Sequence, residues 1–106
     1  MENRTGDVMK KLYIVQPMNR LTDREIKKTR EQAHKFAEME TGEQLEVLET
    51  YFQNNAGPLE LLGEALKQME YADYVVFAPD YGLYRGCRIE QKAAMEYEKK
   101  CLYMKQ

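Results

Sequence analysis

Two short runs of apolar, β-branched and aromatic residues constrain the fold of this 106-residue chain more than any other feature. The clearer run is residues 73–78, Asp-Tyr-Val-Val-Phe-Ala, and the other is residues 11–15, Lys-Leu-Tyr-Ile-Val. A strand with apolar side chains on both sides must be buried on both faces, which is typical of parallel sheets covered by helices. Pro17 cannot donate to a strand ladder and ends the first run. The two runs therefore predict central strands of a parallel sheet.

Amphipathic segments between and after these strands predict the helices that cover such a sheet. The first helix spans residues 22–39, with Thr22 as the N-cap, Glu25 completing a capping box and Gly42 as the terminator. A second helix begins at Pro58, since proline is favoured at the first helical position. Its predicted buried stripe is Leu59, Leu62, Ala65, Leu66 and Met69. The third helix covers residues 85–99, and one of its faces carries Gly86, Ile89, Ala93 and Tyr97.

The remaining segments complete a regular alternation of strands and helices. Residues 44–51 suit either a helix or a short strand, and we interpret them as a strand because the neighbouring helices need a sheet between them. Residues 79–82 predict a turn, and residues 101–104 predict a last short strand. The order βαβαβαβ predicts an open, mainly parallel four-stranded sheet flanked by helices, of the flavodoxin- or Rossmann-like kind.

The length predicts one domain. We assign residues 11–106 to it and residues 1–10 to a disordered N-terminal extension. In an open α/β sheet, ligands bind outside the carboxyl ends of the strands. The predicted binding regions are therefore residues 16–21, residues 51–58, which include a loop over residues 54–58, and residues 79–90.

The composition excludes several kinds of chemistry. The chain contains no serine, so a Ser-His-Asp hydrolase is excluded. One histidine, His34, and two cysteines, Cys87 and Cys101, are too few for a structural zinc site, and the cysteines form no C-x-x-C motif. We expect reduced thiols, no metal and no cofactor. Catalysis would have to use carboxylates, tyrosines or basic groups.

Charge and hydropathy bear on partners and location. No apolar run approaches the roughly 20 residues of a membrane span, and the N-terminus lacks a signal-peptide core, so we expect a cytoplasmic protein without a membrane partner. The net charge of −2 predicts no nucleic-acid polymer as partner. Residues 1–35 nevertheless carry nine basic and five acidic residues, whereas residues 36–70 carry one basic and eight acidic residues. Two solvated faces or a basic groove for an anion both explain this asymmetry.

Three motifs in order resemble the nucleoside 2-deoxyribosyltransferase-like superfamily. Residues 11–18, Lys-Leu-Tyr-Ile-Val-Gln-Pro-Met, resemble its opening strand. Residues 71–77, Tyr-Ala-Asp-Tyr-Val-Val-Phe, resemble its penultimate strand, and residues 85–90, Arg-Gly-Cys-Arg-Ile-Glu, resemble the start of its last long helix. The resemblance covers about residues 11–104. It implies an open α/β fold and cleavage or exchange of the N-glycosidic bond between a base and a deoxyribose.

The resemblance assigns the catalytic roles. Glu90 occupies the position of the nucleophilic glutamate, which would attack the anomeric carbon and hold the sugar as an ester. We expect the nearby helix N-terminus to keep Glu90 ionised. Tyr13 matches a tyrosine that orients the nucleophile, and Asp80 is a candidate for protonating the leaving base. Each has an ordinary alternative: a dipole-stabilised glutamate, a core tyrosine and a turn aspartate.

The other candidate residues would bind the substrate. Gln16, Pro17 and Met18 follow the first strand, and Tyr81 and Tyr84 would either stack on a base or form a protein interface. Arg85 would bind a phosphate or face solvent. Gly86 would let the backbone approach the sugar or a 5′-phosphate. The expected ligand is a nucleoside or nucleotide.

Departures from the family pattern leave catalysis open. The family usually has an aspartate eight residues before the one that opens the penultimate strand, and Ala65 stands there, with Glu64 beside it. Gln16 replaces a glycine, and Tyr84 stands where an aspartate or serine is common. The chain is then either an N-glycosidase or transferase, a non-catalytic nucleotide-binding module, or a protein-interaction domain. We expect a homo-oligomer, because small domains leave much surface unburied and relatives pair to complete each site.

Overall fold

The computed structural model describes residues 9–49 and 56–105. Over these residues it confirms an α/β fold with an open, four-stranded, all-parallel sheet and three helices, of the flavodoxin- or Rossmann-like kind. The strands are β1 (Lys10–Val15), β2 (Leu45–Val47), β3 (Tyr74–Phe77) and β4 (Lys100–Tyr103). The helices are α1 (Asp23–Thr41), α2 (Pro58–Met69) and α3 (Arg85–Glu96), with a short 3-10 helix at Tyr81–Leu83.

Most predicted boundaries are close to the observed ones. β1 begins at Lys10, which the sequence interpretation assigned to the extension, and α1 continues to Thr41 rather than residue 39. β2 ends at Val47, within the predicted segment 44–51. The predictions for residues 1–8, 50–55 and 106 lie outside the described residues.

The strand order β2-β1-β3-β4 places a topological switch point between β1 and β3. The chain leaves β1 through α1 toward one edge, then crosses back through α2 to the other side of β1. Right-handed crossovers therefore put α1 on one face of the sheet and α2 and α3 on the other. Ligands of doubly wound folds bind at such a switch point.

Alternating residues of β1 belong to the two cores. Leu12 and Ile14 pack with α1, and they are at most 1% exposed. Tyr13 and Val15 pack on the other face with residues of α2 and α3. Each fully buried large aliphatic side chain contributes about 1.5–3 kcal/mol. This two-sided burial explains the uninterrupted apolar run in the sequence.

The start of α1 confirms the predicted capping box. The Thr22 hydroxyl accepts a hydrogen bond from the Glu25 backbone N–H at 3.1 Å, and the Glu25 carboxylate accepts one from the Thr22 N–H at 2.8 Å. At the other end, Gly42 adopts a left-handed conformation with φ of 72° and donates to the Glu38 carbonyl. Local sequence therefore determines both ends of this helix.

Helix α3 departs from its predicted end and from its predicted face. It stops at Glu96, three residues early, because Glu98 adopts a left-handed conformation and Lys99 donates to the Ala94 carbonyl in a Schellman arrangement. The buried residues are Cys87 and Ala94, and the face that carries Ile89 and Tyr97 is exposed. The helix is rotated so that small side chains meet the sheet. Leu59, predicted in the α2 stripe, is likewise 82% exposed.

Candidate functional site

Tyr13 and Glu90 meet between the sheet and α3. Tyr13 lies on β1, faces the α2 and α3 side and is 2% exposed. Glu90 lies in the second turn of α3 and is partly buried. The Tyr13 hydroxyl and the Glu90 carboxyl are close enough to shift each other's pKa: Tyr13 lowers the pKa of Glu90, and Glu90 raises that of Tyr13. The structure thus brings together the two residues that the resemblance pairs.

Burial controls the protonation of both side chains. Loss of solvent raises the pKa of Glu90 from 4.5 to about 7, although the Tyr13 hydroxyl favours the charged form. Burial, followed by the charge of Glu90, raises the pKa of Tyr13. At neutral pH the pair therefore holds a neutral phenol beside a carboxyl that exchanges its proton near pH 7.

The expectation that the helix N-terminus keeps Glu90 ionised is wrong. Glu90 is the sixth residue of α3, whereas the unpaired N–H groups of a helix belong to its first four residues. The dipole effect falls off within the first turn, and desolvation therefore exceeds it.

Cys87 is a neighbour that the sequence interpretation did not select. It lies one helical turn before Glu90, is 7% exposed and is a free thiol. Burial and then the charge of Glu90 raise the pKa of Cys87 to about 12, so the thiol is neutral at physiological pH. The three-residue spacing on one helix was the signal that could have found it.

Ala65 faces the same cluster and brings no acid to it. Ala65 is 3% exposed and packs in the core that contains Tyr13 and Cys87. The neighbouring Glu64 pairs with Lys67, its carboxylate 3.4 Å from the ammonium. One helical step turns a side chain by about 100°. Glu64 therefore does not replace a carboxylate at position 65.

Asp80 occupies the turn after β3. It is exposed and adopts a left-handed conformation with φ of 68°, and its carbonyl accepts from the Leu83 N–H at 3.0 Å. The pKa of Glu90 is set by burial and by Tyr13, and the geometry of Asp80 is that of a turn residue.

The start of α3 is open. Tyr84 is the N-cap, makes no side-chain capping bond and packs partly buried against the core of Tyr13. Arg85 and Gly86 form the exposed first turn. A Cβ added at Gly86 would meet nothing within 4 Å, so packing does not require glycine there. A ligand can approach this backbone closely.

Tyr81 belongs to an aromatic cluster at the ends of β3 and β4. Its ring centroid is 5.0 Å from that of Phe77, and Phe77 stacks on Tyr103 at 4.9 Å. The Gln91 amide donates to the Tyr81 and Tyr103 hydroxyls, both at 3.1 Å. Phe77 and Tyr81 also pack in the core that contains Tyr13, so the cluster adjoins this core although Gln91 lies about 100° around the helix from Glu90.

The residues after β1 are more buried than a binding loop requires. The Gln16 amide nitrogen donates to the Ile26 carbonyl of α1 at 3.0 Å, and its oxygen is buried without a partner among the described residues. Pro17 is buried and Met18 is partly exposed. Gln16 thus ties β1 to the beginning of α1.

Arg30 brings a positive charge that the motifs did not indicate. Its guanidinium donates to the Leu48 carbonyl at 3.1 Å and lies 3.9 Å from the Glu49 carboxylate. Its charge lowers the pKa of Tyr13, against the larger effect of burial. Arg30 also lines an open groove of about 500 Å³ between α1 and β2. The groove lining is Lys27, Arg30, Glu31, His34, Leu45, Glu46 and Val47, which mixes both charge signs.

The described ranges contain no group of three His, Cys, Asp or Glu side chains that could hold a metal ion. Within these ranges, no helix has the length and apolar character needed to cross a membrane.

The fold and the pair define an open parallel α/β domain with one partly buried carboxyl held by a tyrosine. Comparisons with models of protein families, with curated proteins and with solved structures found no match for this chain.

Proposed function

We propose that this protein binds a nucleoside or nucleotide and cleaves or transfers across its N-glycosidic bond, with Glu90 as the nucleophile. The observation that carries the proposal is the proximity of the core Tyr13 hydroxyl to the partly buried Glu90 carboxyl. A carboxyl in this setting is restrained and poorly solvated, which suits attack on an anomeric carbon better than a solvated surface position does. The open first turn of α3 at Arg85 and Gly86 adds space for a sugar or its 5′-phosphate.

The reaction proceeds in two balanced steps. A Glu90 carboxylate oxygen forms a bond to the anomeric carbon, and the bond from that carbon to the base breaks with its electron pair leaving on the base. Water or an acceptor base then attacks the same carbon, and the ester electron pair returns to Glu90 while the attacking group loses a proton to solvent. Tyr13 holds the carboxylate in place through its hydroxyl.

Base release from deoxynucleosides and their 5′-monophosphates, followed chromatographically, tests this function. Glu90→Ala should abolish release, and Tyr13→Phe should lower kcat/KM about 10- to 100-fold, as expected for loss of a hydrogen bond to a charged group. Glu96→Gln, an exposed carboxyl on the same helix, is the matched control and should behave as wild type. Release that survives Glu90→Ala would overturn the assignment.

The pH dependence tests the role of Glu90 as a nucleophile. Only the ionised form attacks, and the pKa of Glu90 is about 7. The rate should therefore rise as the pH increases through this value and then level off at higher pH. A rate that falls over this range would identify Glu90 as a proton donor instead.

A non-catalytic nucleotide-binding module is the second candidate, and the presence of Ala65 in the cluster favours it. Without an acid, a neutral base leaves slowly, but binding is unaffected. Thermal unfolding with nucleotides distinguishes the two, because a ligand at 100 times its Kd stabilises the folded state by about 2.7 kcal/mol. Stabilisation without base release supports the binding module.

The proposal includes a cytoplasmic homo-oligomer without a membrane or nucleic-acid polymer partner. The exposed Met95 and Tyr97, which are 58% and 81% accessible, are candidate contacts between copies. Light scattering of the purified protein measures the oligomeric state, and a monomer at all concentrations would contradict the proposed homo-oligomer.

A further inference from the structure

Among the described residues, Glu90 is the one carboxyl that acts on both Tyr13 and Cys87. In the core that surrounds Tyr13, α2 contributes the methyl group of Ala65, and the α3 contribution one turn before Glu90 is the neutral thiol of Cys87. The carboxylates of Glu64 and Glu49 lie near basic partners, Lys67 and Arg30. Residues 50–55, which follow β2 outside the described ranges, contain no aspartate or glutamate in their sequence.

A single carboxyl restricts the bases that can leave. When the bond from the anomeric carbon to a neutral base breaks, the base departs as an anion unless an acid supplies a proton. General acid catalysis of such a step contributes about 10²–10⁴-fold to the rate. A base whose ring already carries a positive charge accepts the electron pair and leaves as a neutral molecule. It needs no proton from the protein.

The charge of such a base also suits the site. A carboxylate removed from water loses solvation, and a positive charge close to it offsets this loss. A cationic base bound beside Glu90 therefore favours the ionised carboxylate that attacks the sugar. A neutral base provides neither effect.

We infer that the N-glycosides cleaved at Glu90 are those whose base carries a positive ring charge, such as an N7-alkylated purine or a pyridinium. This inference rests on the function proposed above. Glu90 forms the bond to the anomeric carbon, the electron pair of the broken bond neutralises the ring nitrogen, and water regenerates the carboxylate. The only proton transferred is that of the attacking water.

The experiment compares 2′-deoxyguanosine with 7-methyl-2′-deoxyguanosine, which differ in one methyl group and one charge. Base release is measured with the full chain, and the uncatalysed rates are measured in the same buffer. If the enzyme provides no acid, the ratio of kcat/KM for the methylated over the unmethylated substrate should be at least as large as the ratio of their uncatalysed rates. A smaller ratio, with nearly equal kcat/KM values for the two substrates, would overturn the inference and leave the proposed function standing. No release from either substrate would overturn both.

Position 65 supplies a second, independent measurement. Ala65→Asp should add the missing acid and raise kcat/KM for 2′-deoxyguanosine by about 10² or more, with less than a tenfold change for the methylated substrate. Ala65→Asn is the matched control for size and polarity, and Glu64→Gln is the control for a neighbouring carboxyl. Thermal melts establish that each variant folds. Equal gains on both substrates, or a gain with Ala65→Asn, would contradict the inference.

Binding measured by stopped flow, before turnover, gives a further readout. The wild-type protein should bind the methylated nucleoside at least tenfold more tightly than the unmethylated one, and Glu90→Gln should remove this preference. Equal affinities in the wild type would contradict the inference even where base release is observed.

Discussion

The starts of α1 and α3 differ in how the helix is capped and in how the pKa of a nearby glutamate is shifted. At the start of α1, Thr22 and Glu25 cap each other, and the hydrogen bonds from the Thr22 backbone and side chain lower the pKa of Glu25. At the start of α3 no side chain caps the helix, and the pKa of Glu90, one turn further along, is raised to about 7 by burial.

The comparison shows that proximity to a helix start does not determine the charge of a glutamate. Glu25 is exposed and its carboxylate accepts the hydrogen bond of the Thr22 backbone N–H, so its charged form is favoured. Glu90 lies beyond those groups and faces a core tyrosine. The α1 start is completed by its own side chains, whereas the α3 start keeps its first turn accessible to a ligand.

The largest expected effect is on stability above neutral pH. The pKa of Glu90 is about 7 in the folded protein and 4.5 for the unperturbed group, so the folded protein binds the Glu90 proton more tightly than the unfolded chain does. The stabilising contribution is complete below pH 4.5 and is lost as the pH rises through 7. Glu90→Gln removes this loss, and well above neutral pH the variant should be more stable than wild type by about 3 kcal/mol.

Urea unfolding in mild acid, near pH 4, and in mild base, near pH 8, measures this difference. The wild-type protein and the Glu90→Gln variant should have similar free energies of unfolding in acid. A variant that shows no advantage in base would mean that Glu90 is solvated, and the contrast with Glu25 would disappear.

Breaking the cap of α1 has the next largest effect. Thr22→Ala removes the acceptor of the Glu25 N–H bond of 3.1 Å and should cost about 1 kcal/mol. Chemical denaturation measures the loss. An unchanged free energy of unfolding would show that the box is not formed in solution.

Gly86→Ala tests whether the uncapped first turn of α3 is accessible to a ligand. The new methyl group meets nothing within 4 Å, so the better helix propensity of alanine should stabilise the protein by up to about 1 kcal/mol. It should also weaken nucleotide binding, because it fills space above the first turn. Gly63→Ala in α2, an equally open position, is the control. Stabilisation with unchanged nucleotide affinity in both variants would show that the first turn of α3 is not part of the nucleotide-binding site.

Glu25→Ala has the smallest effect, with the opposite pH dependence. Because the pKa of Glu25 is lowered on folding, its contribution is present above the unfolded pKa and is lost as the pH falls through the folded value. The variant should therefore be slightly less stable at neutral pH and equal to wild type in strong acid. A deficit that persists unchanged in acid would contradict the role of its charge.

Local patterns predicted most of the fold. The apolar runs led to β1 and β3, the Thr22–Glu25 pair led to the start of α1, and Pro58 led to the start of α2. The end of α3 was not predictable, because Glu98 adopts a left-handed conformation that glycine normally occupies. Its buried face was also missed, because packing against the sheet selected Cys87 and Ala94 over the larger apolar side chains.

The pairing of Tyr13 with Glu90 was predictable from the motifs, but its electrostatics were not. Ionisation depends on solvent loss, which only the packing of α3 against β1 produces. Arg30 gave no sequence signal, because its contact with Leu48 requires β2 to lie beside β1.

Sequence alone determined most of the strand and helix positions and which glutamate stands one turn inside the last helix, because neighbouring residues bias backbone conformation. The tertiary structure decided that this glutamate is largely removed from water, that Ala65 faces its cluster and that Asp80 remains in an exposed turn. These properties depend on groups far apart in the chain, and desolvation acts only after they pack together.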